Sequence, residues 1–197
     1  MDLKQTLREM LNLDDDEILD RILENAEVLS FNKGEDIYEY GKIPERAGFL
    51  LSGVVAAIEP DENGAIIVDC VTDTPGTPML PGSGLGNPAY HTARVLAPAQ
   101  VLSYPAELLA ELLTQYPPLN RSFFDILMRC AQDNREEKMI LHTSNVRGRY
   151  EWFLSKHPNF PDRGLNKYVA AYLNTTPETI SRLRRVMKQA AETTPTR

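Results

Sequence analysis

Leu165–Met187, LNKYVAAYLNTTPETISRLRRVM, carries two helix signals with a sharp stop between them. A first helix is expected from about Asn166 to Leu173, because Val169, Ala170 and Leu173 fall on one face. Small Ala170 and Ala171 let a second helix cross closely. Asn174 follows, and asparagine is among the few non-glycine residues that accept the left-handed backbone needed to stop a helix and turn. Thr176 then offers an N-cap, Pro177 suits a first helical position where its missing N–H goes unneeded, and Glu178 favours the positive end of the helix dipole. The second helix starts at Pro177.

On that second helix Ile180, Leu183 and Met187 form an inward apolar stripe, while Glu178, Ser181, Arg182 and Arg185 occupy the opposite face. That outward face has the chemistry a DNA major groove asks for. Arg offers a two-pronged donor to guanine O6 and N7, Glu accepts from cytosine N4, and Ser or Thr serves bases or phosphates. The alternative is an ordinary amphipathic helical hairpin with a solvated charged side, and spacing alone does not separate the two. Charge distribution favours the first. The whole chain has 21 Lys and Arg against 28 Asp and Glu, yet residues 142–197 carry 10 against 4, and residues 1–141 carry 11 against 24. A basic module on an acidic body aims counterion-driven attraction for a polyanion at one end of the molecule.

Length and composition bound the rest. A chain of 197 residues with 42% hydrophobic content can bury one good core and a small second one. With no basic-plus-apolar leader and no apolar run of membrane-spanning length, a soluble cytoplasmic protein is expected. Cys70 and Cys130 stand apart with no CxxC and no Cys/His cluster, so no structural metal or iron–sulfur cluster is expected, and both read as small core residues.

Upstream, Asp14–Glu27 (DDDEILDRILENAE) reads as a short acidic helix acting as a lid, with Ile18, Ile22 and Leu23 facing inward. From Leu29 to Val71 the pattern turns to short β segments, with Lys33-Gly34, Ser52-Gly53 and Asn63-Gly64 as turn dipeptides, which predicts a small antiparallel roll or barrel. Thr72–Pro88 is too rich in Pro and Gly for regular structure and reads as a loop. Strand character returns over Ala93–Tyr104, and Ala106–Tyr116 is a short helix. A long helix then runs from Leu119 to about His142. Its residues Phe123, Leu127, Cys130, Asn134, Glu137 and Leu141 step by alternating +4 and +3, the spacing of a dimer seam, with polar Asn134 and Glu137 weakening the second half. Phe124, Ile126 and Met128 on other faces suggest that part of the helix also covers the roll.

The order of parts resembles the Crp/Fnr superfamily of bacterial transcription regulators over nearly the whole chain. NKGEDIYEYG (32–41), GFLLSGVV (48–55) and DENG (61–64) look like the opening strands and hairpin of that family's cyclic-nucleotide-binding-type, cupin-like jelly roll. NVRGRYEWFL (145–154) is similar to its hinge and first DNA-domain helix, and PETISRLRR (177–185) resembles its recognition helix, with Glu three places before a Ser-Arg pair. The resemblance implies an α+β protein: a sensory β-roll over 1–118, a central dimerisation helix over 119–144 and a helix-turn-helix domain over 145–197. It implies a homodimer that binds palindromic double-stranded DNA, with RNA polymerase and a small-molecule effector as further candidate partners. Carried over by position, Glu178, Ser181 and Arg182 would read bases, with Thr176 and Thr179 near phosphates. Charge and position add Arg184, Arg185 and Lys188 as backbone contacts.

Departures from the pattern matter too. Members that bind cyclic AMP use a Gly-Glu pair for the ribose and an Arg-Ser/Thr pair for the cyclic phosphate. Here the loop reads LPGSGLGNPAYHTARV, with no Glu and with His91-Thr92 in place of Arg-Ser. Cyclic AMP is therefore disfavoured, and no cofactor is expected. Leu80, Gly82, Ser83, His91, Thr92 and Arg94 remain the candidate lining of an effector pocket, if the roll is not filled by its own side chains. Few residues follow the second helix of the hairpin, which leaves no room for the β wing that many relatives add. No nucleophile–base pair, metal-ligand spacing or phosphate loop points to an enzyme, and GSGLG lacks the strand-to-helix context of a dinucleotide site. The alternative function is a ligand-binding signalling protein whose helical C-terminal domain docks a protein partner.

Overall fold

The computed structural model describes residues 2–80, 85–158, 160 and 164–193. Two short helices, α1 (Leu3–Leu11) and α2 (Asp16–Glu24), precede six antiparallel strands: β1 (Glu27–Phe31), β2 (Asp36–Tyr38), β3 (Arg46–Pro60), β4 (Ile66–Thr72), β5 (Pro78–Met79) and β6 (Thr92–Pro105). Helices α3 (Ala106–Gln115), α4 (Pro117–Thr143), α5 (Val146–Lys156), α6 (Asn166–Tyr172) and α7 (Pro177–Thr193) complete the chain.

The N-terminal helices show what the acidic run is for. Asp15 caps α2 by accepting from the Ile18 N–H, so the helix spans Asp16–Glu24 instead of Asp14–Glu27, and Glu27 already belongs to β1. Nor is α2 a lid: Ile18, Leu19 and Ile22 are buried in the main core with Phe49, Leu102, Tyr104 and Phe123. Helix α1, which the sequence reading left out, starts at an Asp2 cap and stops at Asn12 with φ 47°. Its Leu7 and Leu11 enter the same core, and the Ser122 hydroxyl on α4 donates to the Leu11 carbonyl.

The strands are ordered β1-β6-β3-β4, with β2 added to β6 and β5 to β3. Strands β3 and β6 pair from Arg46 opposite Pro105 to Ile58 opposite Thr92, with register shifts around Ser52 and Val54. Gly53 sits at those shifts with φ 101°, where a Cβ would lie 2.4 Å from the Pro98 carbonyl oxygen. Ser52-Gly53 is therefore a bulge that bends one long strand and not a turn between two. Asn63-Gly64 does turn the chain: Asp61 Oδ1 accepts from the N–H groups of Asn63 and Ala65. The loop expected over Thr72–Pro88 contains β5, whose Pro78 pairs with Phe49 at the sheet edge, where a missing N–H is tolerated.

Three apolar clusters divide the interior. One lies between the sheet and α1–α4. A second fills the roll with Leu50, Val55, Met79, Val95 and Val101, backed by Phe31, Ile37 and Tyr38. The third joins Val54, Ala56, Val68, Val71 and Leu96 of the sheet to Tyr150, Phe153, Tyr168, Val169, Leu173 and Ile180 of α5–α7. The C-terminal helices thus pack on the outer face of the sheet and share its core.

Candidate nucleic-acid interface

Helices α6 and α7 form the expected hairpin. Asn174 takes φ 50°, the Thr175 N–H reaches back to the Ala170 carbonyl, and Thr176 Oγ1 caps α7 by accepting from the Thr179 N–H at 3.3 Å. Ile180 is fully buried, while Leu183 and Met187 pack against the same cluster. Those contacts fix the rotation of α7 about its axis, and Pro177, Glu178, Ser181, Arg182 and Arg185 line an open concavity on its outer side. Glu178, Ser181, Arg182, Arg185 and Lys188 are exposed, as is Thr176, whereas Thr179 is half-buried and shares a hydroxyl contact with Thr176 at 3.1 Å.

Arg184 breaks the pattern expected of it. Its side chain is half-buried and Nε donates to the Tyr150 hydroxyl on α5 at 2.8 Å, which makes it a brace within the helical domain. The signal was present in the sequence: Arg184 lies four residues after Ile180, on the inward stripe. Two further residues that position the site escaped the sequence reading. Arg149 donates through Nε to the Ser144 carbonyl and through Nη1 to the Leu173 carbonyl, tying the α4–α5 junction to the end of α6. Asn166, the first residue of α6, donates through Nδ2 to Ser181 Oγ at 2.9 Å. The break between α4 and α5 falls at Ser144 and Asn145, where Asn145 caps α5 by accepting from the Gly148 N–H.

Helix α4 leaves only part of its expected seam open to solvent. Phe123 is 5% exposed and packs edge-on against Phe49 in the main core, with Cys130 half-buried beside it. Leu141 packs on the α5–α7 cluster, and Glu137 bonds the Tyr172 hydroxyl. Of the six expected seam residues only Leu127 and Asn134 are exposed. Phe123 is the one stripe residue fully buried; it packs on the protein's own roll together with Leu119 and Ile126, which lie beside the stripe and not on it. Ile126 covers the roll as expected, whereas Phe124 and Met128 do not: they join Leu127 in an exposed apolar strip.

Desolvation lifts the Glu137 carboxyl to about 7, opposed by the Tyr172 hydroxyl and reinforced by the Asp69 charge. An acid whose folded value lies above its ordinary value favours folding most at low pH. Its contribution is fully present below about 4.5 and is lost as pH rises through about 7. Glu137→Gln is therefore expected to stabilise the protein at pH 8 by roughly 1–2 kcal/mol after solvent screening, with the gain shrinking toward pH 4.5. Urea unfolding at the two pH values measures it, and a pH-independent difference would contradict the assignment.

Leu80, His91, Thr92 and Arg94 of the candidate effector pocket are engaged by Asp36, Tyr38 and Tyr40 of the roll. Arg94 forms a two-pronged pair with Asp36, Nε to Oδ1 and Nη2 to Oδ2, both at 2.7 Å. The Tyr38 hydroxyl donates to the Leu80 carbonyl at 2.6 Å and lies 2.8 Å from His91 Nε2. Since its single proton goes to Leu80, Nε2 is the donor in the second contact. Burial also lowers the His91 pKa, against the opposing charges of Asp69 and Glu59. Thr92 Oγ1 accepts from the Tyr40 N–H. Gly82 and Ser83 lie outside the described residues. No group of residues suited to hold a metal ion occurs among the described residues, and none of the described helices is long and apolar enough to cross a membrane.

No protein-family model and no curated protein sequence matches this chain. Solved structures do. FixK2 from Bradyrhizobium japonicum superposes with a TM-score of 0.72 at 17% identity, over 84% of this chain and 86% of that one. CLP of Xanthomonas campestris, described as a c-di-GMP-responsive global regulator, gives 0.66 at 15% identity over 93% and 96%. A CRP-family transcriptional regulator from Thermus thermophilus gives 0.67 at 19% identity over 86% and 88%. With its antiparallel roll, long central helix and α6–α7 hairpin in the same order, the chain has the fold of the Crp/Fnr-type transcription regulators.

Proposed function

We propose that this protein is a sequence-specific, double-stranded-DNA-binding transcription regulator acting in the cytoplasm as a homodimer. The observation that carries the reading is the outward face of α7, where Glu178, Ser181, Arg182 and Arg185 stand together around an open concavity on the basic end of an acidic chain. Arg182 and Arg185 supply two-pronged donors and Glu178 an acceptor, and the cap at Thr176 puts them in the first turns of the helix, the part that reaches base edges in a helix-turn-helix. The exposed strip Phe124, Leu127 and Met128 on α4 is the apolar surface on which a second copy would close the dimer. Two copies related by a twofold axis read half-sites about 34 Å apart.

Regulation through cyclic AMP fits poorly, because Arg94, which follows His91-Thr92 closely in sequence, already holds the Asp36 carboxylate. Any effector of the roll would have to compete with that pair and with the Tyr38–His91 contact.

The test is selection of binding sites from random duplex DNA, followed by titration of the selected site across salt. The expected outcome is a palindrome with half-sites one helical turn apart and an affinity that falls roughly 10³-fold or more between about 50 and 200 mM salt. A flat, sequence-blind response would overturn the reading in favour of a hairpin that docks a protein.

A further inference from the structure

Asn166 and Ser181 belong to different helices and meet at the edge of the proposed DNA-reading face. Ser181 is exposed on α7 and borders the concavity shared with Glu178, Arg182 and Arg185. Asn166, half-buried at the start of α6, reaches across with Nδ2 at 2.9 Å from Ser181 Oγ. The other end of the same amide is closed off: Asn166 Oδ1 is shielded from solvent and has no partner among the described residues.

That asymmetry sets the direction of the Asn166–Ser181 bond. Turning the amide over would place an NH2 group, with two unpaired donors, where the shielded oxygen now lies. Orphaned buried N–H groups are rarer in proteins than under-satisfied carbonyls, so the orientation with Nδ2 on Ser181 is the favoured one. A serine hydroxyl has one proton and two acceptor lone pairs. With one lone pair taken by Asn166 and the amide protons repelling its own, the Ser181 proton points away from α6, toward the open side.

The geometry points to Asn166 as a positioning residue that sets base preference: it holds Ser181 as a hydrogen-bond donor toward the groove. This rests on the DNA reading proposed above. A donor in that place is satisfied by the acceptor edges of the major groove, namely purine N7, guanine O6 and thymine O4. Cytosine offers only its N4 donor there, so the contacted strand discriminates against cytosine at that one position. A serine oriented by Asn166 therefore reads a base, whereas a free serine hydroxyl would rotate to suit any base.

The experiment is site selection with the full-length protein in five forms: wild type, Ser181→Ala, Asn166→Ala, the double variant and the near-isosteric Asn166→Asp. In the wild type, cytosine is expected to be depleted about three- to tenfold at one position of each half-site, the range of a single directed hydrogen bond. Ser181→Ala and Asn166→Ala should each flatten that position and leave the others intact, and the double variant should match Ser181→Ala alone. Asn166→Asp reverses the bond, since a carboxylate can only accept, so the Ser181 proton turns inward and cytosine becomes tolerated or preferred. A wild-type motif unmoved by both Asn166 variants would overturn the assignment while leaving the DNA reading in place. Equal loss at every position would also overturn it, by showing a merely structural role. A wild type that selects no motif would overturn both.

Discussion

Arg182→Ala is expected to lower affinity for the selected palindrome about 10- to 100-fold per half-site, with thermal stability unchanged. The two halves of that expectation come from different observations. Arg182 is exposed, lines the concavity on α7, and has no partner among the described residues, so its removal leaves nothing buried unpaired. On DNA, however, a two-pronged contact to guanine is worth roughly 1–3 kcal/mol, and both subunits lose it. Fluorescence anisotropy at one fixed salt concentration measures the affinity, and a thermal melt checks the fold. Arg184→Ala is the informative contrast. It removes the brace to Tyr150 and is expected to lower the melting temperature, because Arg184 serves its own domain. Unchanged affinity in Arg182→Ala would mean that the outward face of α7 does not read bases.

The hairpin was legible in the sequence because each of its signals is local. Asn174 takes the left-handed backbone, Thr176 caps α7, and Ile180 is buried, each as its residue type and position dictate. Signals that require knowing the partner were not legible. The stripe from Phe123 to Leu141 announces burial but does not name the surface: the roll-side core takes Phe123 and Cys130, α5–α7 take Glu137 and Leu141, and Leu127 and Asn134 stay exposed. Gly53 announces a positive φ but not whether the chain reverses there, and the approach of Pro98 and Ala99 makes it a bulge. Arg94 lies 58 positions from Asp36 and Asn166 lies 15 from Ser181, so neither pair could be read from spacing. Arg184 is the exception: it lies four residues after Ile180, on the inward side of α7, so a contact to its own domain was legible from position.

Phe153→Ala is expected to destabilise the protein by about 3–5 kcal/mol, a large share of the roughly 5–15 kcal/mol that a domain has in total. Phe153 is fully buried at the centre of an aromatic group, with ring centroids 5.1 Å from Phe160, 5.6 Å from Tyr172 and 4.8 Å from His157. Those rings share one apolar cluster with Val54, Ala56 and Leu96 of the sheet, and His157 Nδ1 lies 2.9 Å from an Asp73 carboxylate oxygen just beyond β4. The cavity left by Phe153 therefore opens between the helices and the roll, and both sides lose packing. Trp152, the single tryptophan, stacks on Tyr172 and reports on the helices, while far-UV circular dichroism reports on the whole chain. If the shared core couples the two parts, both signals should shift to lower denaturant together in Phe153→Ala and remain coincident. Tryptophan fluorescence that moves while the bulk transition stays in place would show that α5–α7 unfold by themselves. The outward face of α7 would then be oriented by the Arg149 ties to Ser144 and Leu173 at the helix junction, and not by its seat on the sheet.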